Sequence, residues 1–521
     1  MIAGTAVAGL GLDNVLGSEG TSEVATDHSQ SGVACYEATV PDTLDLAEHC
    51  RLALRGVANN SDPESYGQIW FSANFATPQP FYAHGPADAV CTPKVAESFP
   101  LLRYVTGGTE FDDLEQMQMD NLVANIYPKD GLYYAVYKPN RPWHSGYIGS
   151  AVSTEDWCQI GGAGRMMRAM MTRRQLDGDP KWDALIEGIA RGLDKIAIYK
   201  DDYAYYPDGG HSCQFAYPKS GWLRTDEPTG ETLSVEGSVL DSMGHPIYAL
   251  SRWFQMSGDK KALELARKIT NFVLLPKMWG GLAEEIGVDG SQQGHFHSHM
   301  HGHMSCLRGI LFYGMVAHDS RVIEFVRRSY EGLRRYMIPR IGWLGPNGVG
   351  DGGVAMEACG LADLIALGIR LSDAGVGDYW DDVDAVVRNM LVEQQLTDVA
   401  KLRAVATACG WNGESGDDSL DSKSKGVCYK DMPDRMLGIF HSFSVPNHLP
   451  GGGVMGCCTG NATQALYFAW DGALRWQGDS ATVNLLVNRA SPVADVDSFL
   501  PYQGMVKIRN KKARRQPGLF F

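Results

Sequence analysis

The sequence predicts a mainly α-helical chain built as an (α/α)6 barrel, a toroid of helical hairpins, followed by short β-sandwich material. Three observations carry this expectation. Apolar residues recur at helical spacing: Ile247, Leu250 and Phe254 share a face, as do Ala262, Leu265, Ile269 and Phe272, and Val322, Phe325, Val326, Tyr330, Leu333 and Met337 repeat the pattern. The helical stretches are punctuated by Gly178-Asp179, Gly258-Asp259, His318-Asp319 and Gly377-Asp378, where the Asp carboxylate suits the free N–H groups of the following helix. From about residue 95 to 395 these turns lie roughly 60 to 80 residues apart, the length of one helical hairpin and a loop.

The bulk properties agree. The chain has 521 residues, 44% hydrophobic and 21% charged, an ordinary globular balance with enough length for a large core. A formal net charge of −15 gives no electrostatic reason to bind nucleic acid or anionic lipid. No apolar run reaches the roughly 18 residues of a membrane span. The 11 cysteines are odd in number and scattered, which does not describe a disulfide scaffold and leaves thiols for other chemistry. Met1 to Leu12 reads as the apolar part of an export signal without its preceding basic residues, so a secreted or periplasmic location is expected.

Three segments follow: an N-terminal tail or export remnant over 1–30, the barrel over 31–478, and a partial β-domain with a basic tail over 479–521. The last is read from the weak alternation of Thr482 to Val487, from Pro492 and Pro501, and from the run Lys511 to Arg515. Within the barrel, Tyr203 to Tyr206, Gly209 to His211, Trp279 to Gly281 and Gly345 to Gly353 gather the aromatic, Gly and His residues expected of cleft-forming loops. The sequence specifies no oligomeric state.

Three clusters carry candidate chemistry. Glu357-Ala-Cys359 stands at the start of the helix bearing Leu361, Leu364 and Leu367; residues two apart converge on one ion only in a first turn or the loop before it. Gly456-Cys-Cys-Thr-Gly-Asn461 places Cys457 and Cys458 side by side ahead of a helix with Leu466, Trp470 and Leu474. Buried thiols, a vicinal disulfide and two ligands to one metal are all consistent with it. Together the clusters offer one carboxylate and three thiolates, a set zinc accepts, and zinc would hold a thiolate ready for attack. The third cluster, His295-Phe-His-Ser-His299-Met-His301-Gly-His303, reads as either a metal tract or the polar wall of a sugar pocket; without acidic neighbours, sugar contacts by His299, His301 and His303 are favoured.

In their order and spacing these motifs resemble glycoside hydrolase family 127, the β-L-arabinofuranosidase family, over about residues 150 to 505. The match runs from His299 to Gly309 with Tyr313 and His318-Asp319, through Glu357-Ala-Cys359 and Gly456 to Asn461, to Val483-Asn-Leu-Leu-Val-Asn488. The resemblance implies an (α/α)6 barrel with β-sandwich material. It implies zinc held by Glu357, Cys359, Cys457 and Cys458, and Cys457 as the nucleophile of a retaining glycosidase whose partner is a carbohydrate. His299 falls at a substrate-contacting position. The family's acid/base Glu has no counterpart in Gly345 to Gly353, where Asp351 is the carboxylate present; Glu284 and Glu285 are the alternatives. Two rival readings remain: a lyase or sugar epimerase on the same barrel, and a non-catalytic glycan-binding protein whose four-ligand zinc is structural.

Overall fold

The computed structural model describes residues 43–75, 80–84, 88–136, 155–208, 215–230, 238–279, 299–346, 356–411, 426–442, 453–477 and 480–511. The expected N-terminal tail, His295, His297, Glu284, Glu285 and Asp351 lie outside these residues. The described residues divide into two compact units, one within Glu48–Ala469 and a second made of residues 43–47 with 470–511.

In the first unit an inner set of helices comprises Asp88–Thr106, Ile160–Asp177, Val239–Ser257, Met300–Ala317, Ala358–Asp373 and Gly456–Gly472. The first five pack side by side in chain order. The last closes the ring. Cys458 Sγ lies 3.4 Å from Cys359 Sγ on one side, and on the other Ser98 Oγ donates to the Gly460 carbonyl at 3.1 Å while Gln464 Nε2 donates to that of Lys94 at 3.0 Å. These helices are buried nearly all round; every residue from Ile160 to Thr172 is buried.

The outer helices, including Lys181–Ile196, Lys260–Val273 and Ser320–Arg334, each follow an inner helix and pack back on it. They carry one apolar stripe. In Lys260–Val273 the buried residues are Ala262, Leu265, Ala266, Ile269, Thr270, Phe272 and Val273, the spacing read from sequence.

The punctuating turns act as caps. Gly178, Gly258 and His318 end their helices in the left-handed conformation, with φ of 72°, 76° and 56°. Asp259 and Asp319 each accept two backbone N–H groups of the next helix. In the fourth turn the left-handed residue is Gly375 rather than Gly377; the helix stops at Asp373, and Asp378 accepts from Trp380 N.

Two inner helices approach backbone to backbone. A Cβ on Gly309 would fall 2.2 Å from the Gly244 carbonyl oxygen, and one on Gly244 would fall 2.5 Å from Cys306 Cα. A four-stranded antiparallel sheet, Gly453–Met455, Ser72–Asn74, Phe81–Ala83 and Val427–Cys428, leads into the last inner helix. Its start is pinned where Gly456 N donates to the Phe71 carbonyl at 2.6 Å.

The second unit contains two antiparallel hairpins, Leu474–Gln477 with Ser480–Val483 and Ala494–Ser498 with Val506–Asn510. The Arg489 guanidinium lies 3.3 Å from the Trp470 ring centroid. Among the described residues no helix is long and apolar enough to cross a membrane.

Candidate metal and catalytic centre

The inner helices start at one end of the ring, and their first turns converge there. Glu357 is the N-cap residue of Ala358–Asp373, with Cys359 in its first turn, and Cys457 and Cys458 open Gly456–Gly472. The Cys359, Cys457 and Cys458 sulfurs lie within 4.8 Å of one another, all buried. The Cys359–Cys458 separation is 3.4 Å and the Cys457–Cys458 separation 4.0 Å. Glu357 Oε1 lies 3.9 Å from Cys458 Sγ. A tetrahedral zinc with sulfur at about 2.3 Å sets its sulfurs about 3.8 Å apart, so the three thiols already stand at ligand spacing.

The protonation chemistry points the same way. Burial pushes the Cys359 and Cys458 thiols well above the ordinary cysteine range; Cys457 is raised as well, first by its hydrogen bond with Cys359. Bare, these sulfurs keep their protons. Burial also works to raise Glu357, but His299, 3.1 Å away, outweighs it and holds the carboxyl below its ordinary value. Glu357 Oε2 is buried without a well-formed hydrogen bond, in ion-pair range of His299. Three protonated thiols beside an ionised carboxylate with an unfilled lone pair are a donor set that a divalent cation would complete.

Around this centre runs a buried polar chain. Asp363 accepts from Arg308 at 2.7 Å and binds His301 Nδ1 at 2.6 Å. The remaining nitrogen, His301 Nε2, faces Asn461 Nδ2 at 3.2 Å and Lys94 Nζ at 3.5 Å. Burial and Arg165 act against the Lys94 ammonium, and the Cys359, Cys91 and Cys457 sulfurs raise its pKa once they are ionised. Further round, Asp241 takes Ser305 Oγ at 2.8 Å and His245 Nε2 at 3.2 Å. Burial alone would raise Asp241, but Arg165 and His245 hold it well below the carboxylate range; burial, reinforced by Arg165, keeps His245 neutral.

The sequence-derived candidates therefore divide. Glu357, Cys359, Cys457, Cys458 and His299 come together. His301 is at the same end, but Asp363, Asn461 and Lys94 engage both its nitrogens. His303 is buried, its Nδ1 3.3 Å from the His299 carbonyl and its ring 5.9 Å from that of Trp279. Asp351 lies outside the described residues. Sequence reasoning passed over Lys94, Asp241, His245 and Asp363. A signal existed for Asp363 alone: an acid within the apolar run Leu361 to Leu367 demands a buried partner.

No protein-family model matches the sequence, and no curated protein is similar to it. Solved structures share its fold. A GH127 β-arabinofuranosidase superposes with a TM-score of 0.52 at 12% identity, over 89% of this chain and 64% of that one. The chain thus spans less than two thirds of that enzyme. Ara127N-Se, a GH127 β-L-arabinofuranosidase from Geobacillus stearothermophilus T6, matches with a TM-score of 0.50 at 13% identity, over 90% and 67% of the two chains. Cellobiose 2-epimerase from Bacillus thermoamylovorans B4167 matches with a TM-score of 0.52 at 10% identity, over 81% and 98%. The fold is the (α/α)6 barrel that the sequence predicts.

Proposed function

We propose that the protein is a zinc-dependent retaining glycoside hydrolase with Cys457 as its nucleophile, acting on a glycan such as an arabinofuranoside. One observation carries the reading: Cys359, Cys457 and Cys458, from two helices far apart in sequence, meet within 4.8 Å, with Glu357 beside them. The fold shared with two GH127 arabinofuranosidases supports it.

Glu357, Cys359, Cys457 and Cys458 would hold the zinc ion, whose charge, when bound, keeps the sulfurs deprotonated at neutral pH. Cys457 attacks the anomeric carbon; the glycosidic C–O bond breaks, and the leaving oxygen takes a proton from a carboxylic acid, for which Asp351 is proposed. The same carboxylate then removes a proton from water as it attacks the thioglycosyl carbon, freeing Cys457 and retaining configuration. His299 and His303 are proposed to contact the sugar. His301 is proposed to brace the pocket wall, since its nitrogens are engaged.

Metal content and hydrolysis of aryl arabinofuranosides test this. Wild type is expected to carry one zinc and Cys457→Ser to lose about a thousandfold or more in rate. Full activity in the serine variant would overturn the mechanism.

A sugar epimerase is the second reading, favoured by coverage of 98% of the cellobiose 2-epimerase chain. It requires conversion of a free reducing sugar to its 2-epimer, unaffected by Cys457→Ser.

A further inference from the structure

Deeper in the ring than the sulfur centre, positive charge outnumbers negative. Arg168, Tyr248 and Arg308 stand more than two turns beyond the first residues of their helices, Ile160, Val239 and Met300, about 12 Å along the axis. Four guanidiniums gather there. Arg168 and Arg252 share one carboxylate, Glu97, at 3.0 and 3.7 Å. Arg308 has Asp363 at 2.7 Å, whose other oxygen is taken by His301. Arg370 pairs with no carboxylate among the described residues; its guanidinium carbon sits 5.5 Å from the Phe312 ring centroid. The Phe312 ring packs at 4.5 Å on that of Tyr248, and the Arg168 guanidinium carbon lies 4.7 Å from the Tyr248 centroid. The Tyr248 side chain is only 9% exposed, yet its hydroxyl has no hydrogen-bond partner among the described residues. A buried O–H donor without an acceptor, set amid four cations and two carboxylates, is costly unless an anion completes it.

We infer that this part of the ring binds a small inorganic anion of chloride's size, which accepts from the Tyr248 hydroxyl and is held by the charge of Arg370 and Arg168. Charge follows from the count of cations over carboxylates. Size follows from burial: Arg168, Tyr248 and Phe312 are each buried or nearly so, which suits an ion and not a sugar ring. The phenol itself reports the sign of the local field. Burial works to raise its pKa, but Arg370, Arg168, Arg252 and Arg308 together hold it below its ordinary value, so negative charge is favoured at that hydroxyl. The role is structural. The guanidiniums come from four inner helices, Ile160–Asp177, Val239–Ser257, Met300–Ala317 and Ala358–Asp373, and an anion among them offsets their mutual repulsion. None of the residues proposed to hold zinc takes part, and the inference does not depend on the sugar chemistry proposed above.

The test dialyses the full chain into sodium gluconate and melts it with sodium chloride added at constant ionic strength. Chloride is expected to raise the melting temperature by about 2 °C or more, saturating with concentration. Arg370→Gln, at a half-buried position, and Tyr248→Phe, which keeps the ring, are each expected to lose about half of that rise or more. A wild-type crystal soaked in sodium bromide and measured at the bromine absorption edge is expected to show an anomalous peak beside the Tyr248 hydroxyl; this reading needs no variant. Equal melts in chloride and gluconate would overturn the inference, as would a rise that both variants keep in full, or bromide peaks confined to the surface. A rise with sulfate and none with chloride would overturn it too, since the space would then suit a larger dianion. A protein that shows the chloride effect but cleaves no glycoside would refute the proposed function and leave this inference intact.

Discussion

Asp363 Oδ2 lies 2.6 Å from His301 Nδ1 while its other oxygen accepts from Arg308 at 2.7 Å, and all three side chains are buried. One carboxylate thus fixes which His301 nitrogen faces Lys94 and Asn461. Asp363→Ala is expected to destabilise the protein by about 3–5 kcal/mol, because it strands a guanidinium in the core. Urea unfolding checks this; a loss under about 1 kcal/mol would mean that Arg308 finds another partner.

The Gly244–Gly309 approach sets the distance between two inner helices. Gly309→Ala places a methyl group 2.2 Å from a carbonyl oxygen, so backbone must move. A loss of about 2 kcal/mol or more is expected in thermal melts. Gly178→Ala has open space around its Cβ but φ of 72°, and is expected to cost about 1 kcal/mol through conformation alone.

His318 occupies a left-handed cap where two equivalent turns use glycine. His318→Gly is expected to raise stability by about 0.5–1 kcal/mol by relieving that conformation. A lower melting temperature in the variant would show that the imidazole supplies a compensating contact.

Burial holds His441 at a pKa of about 4, against an ordinary 6.5. Between these values the unfolded chain binds the proton and the folded chain does not, so stability rises with pH across the window. This contribution is complete above pH 6.5 and is lost as pH falls toward 4, by on the order of 3 kcal/mol. Denaturant titrations of wild type and His441→Gln at pH 7.5 and 4.5 should converge at the acid end. Parallel curves would show that other groups govern acid stability.

Chelation offers a test of the donor set. With zinc bound only by the folded chain, removal by a strong chelator is expected to lower the melting temperature, and added zinc to restore it. Cys359→Ala should abolish that difference. An unchanged melt would mean that the thiols meet without a metal.

The outer helices were legible because one face meets the core and the other meets water: the stripe through Ala262, Leu265, Ile269 and Phe272 survives as a burial pattern. The caps were legible because Asp259 and Asp319 act within their own turn. Inner helices such as Ile160–Asp177 are buried all round, so no period marks them, and the short strands at Ser72–Asn74 and Phe81–Ala83 offer too few residues to alternate. At the centre, Glu357 and the vicinal cysteines announced themselves by local spacing. Lys94 did not, because nothing near it in sequence shares its role; only helix register brings it to the site.

The seam between the first and last inner helices joins Ser98 to Gly460, residues 362 positions apart. During synthesis, then, the three-sulfur cluster waits for the last inner helix: Cys359 is made with Glu357 and His299 already ahead of it in sequence order, but Cys457 and Cys458 arrive only with Gly456–Gly472. Domains fold largely as they emerge, so this cluster is completed late, and a chain halted short of Gly456–Gly472 carries one of its three sulfurs.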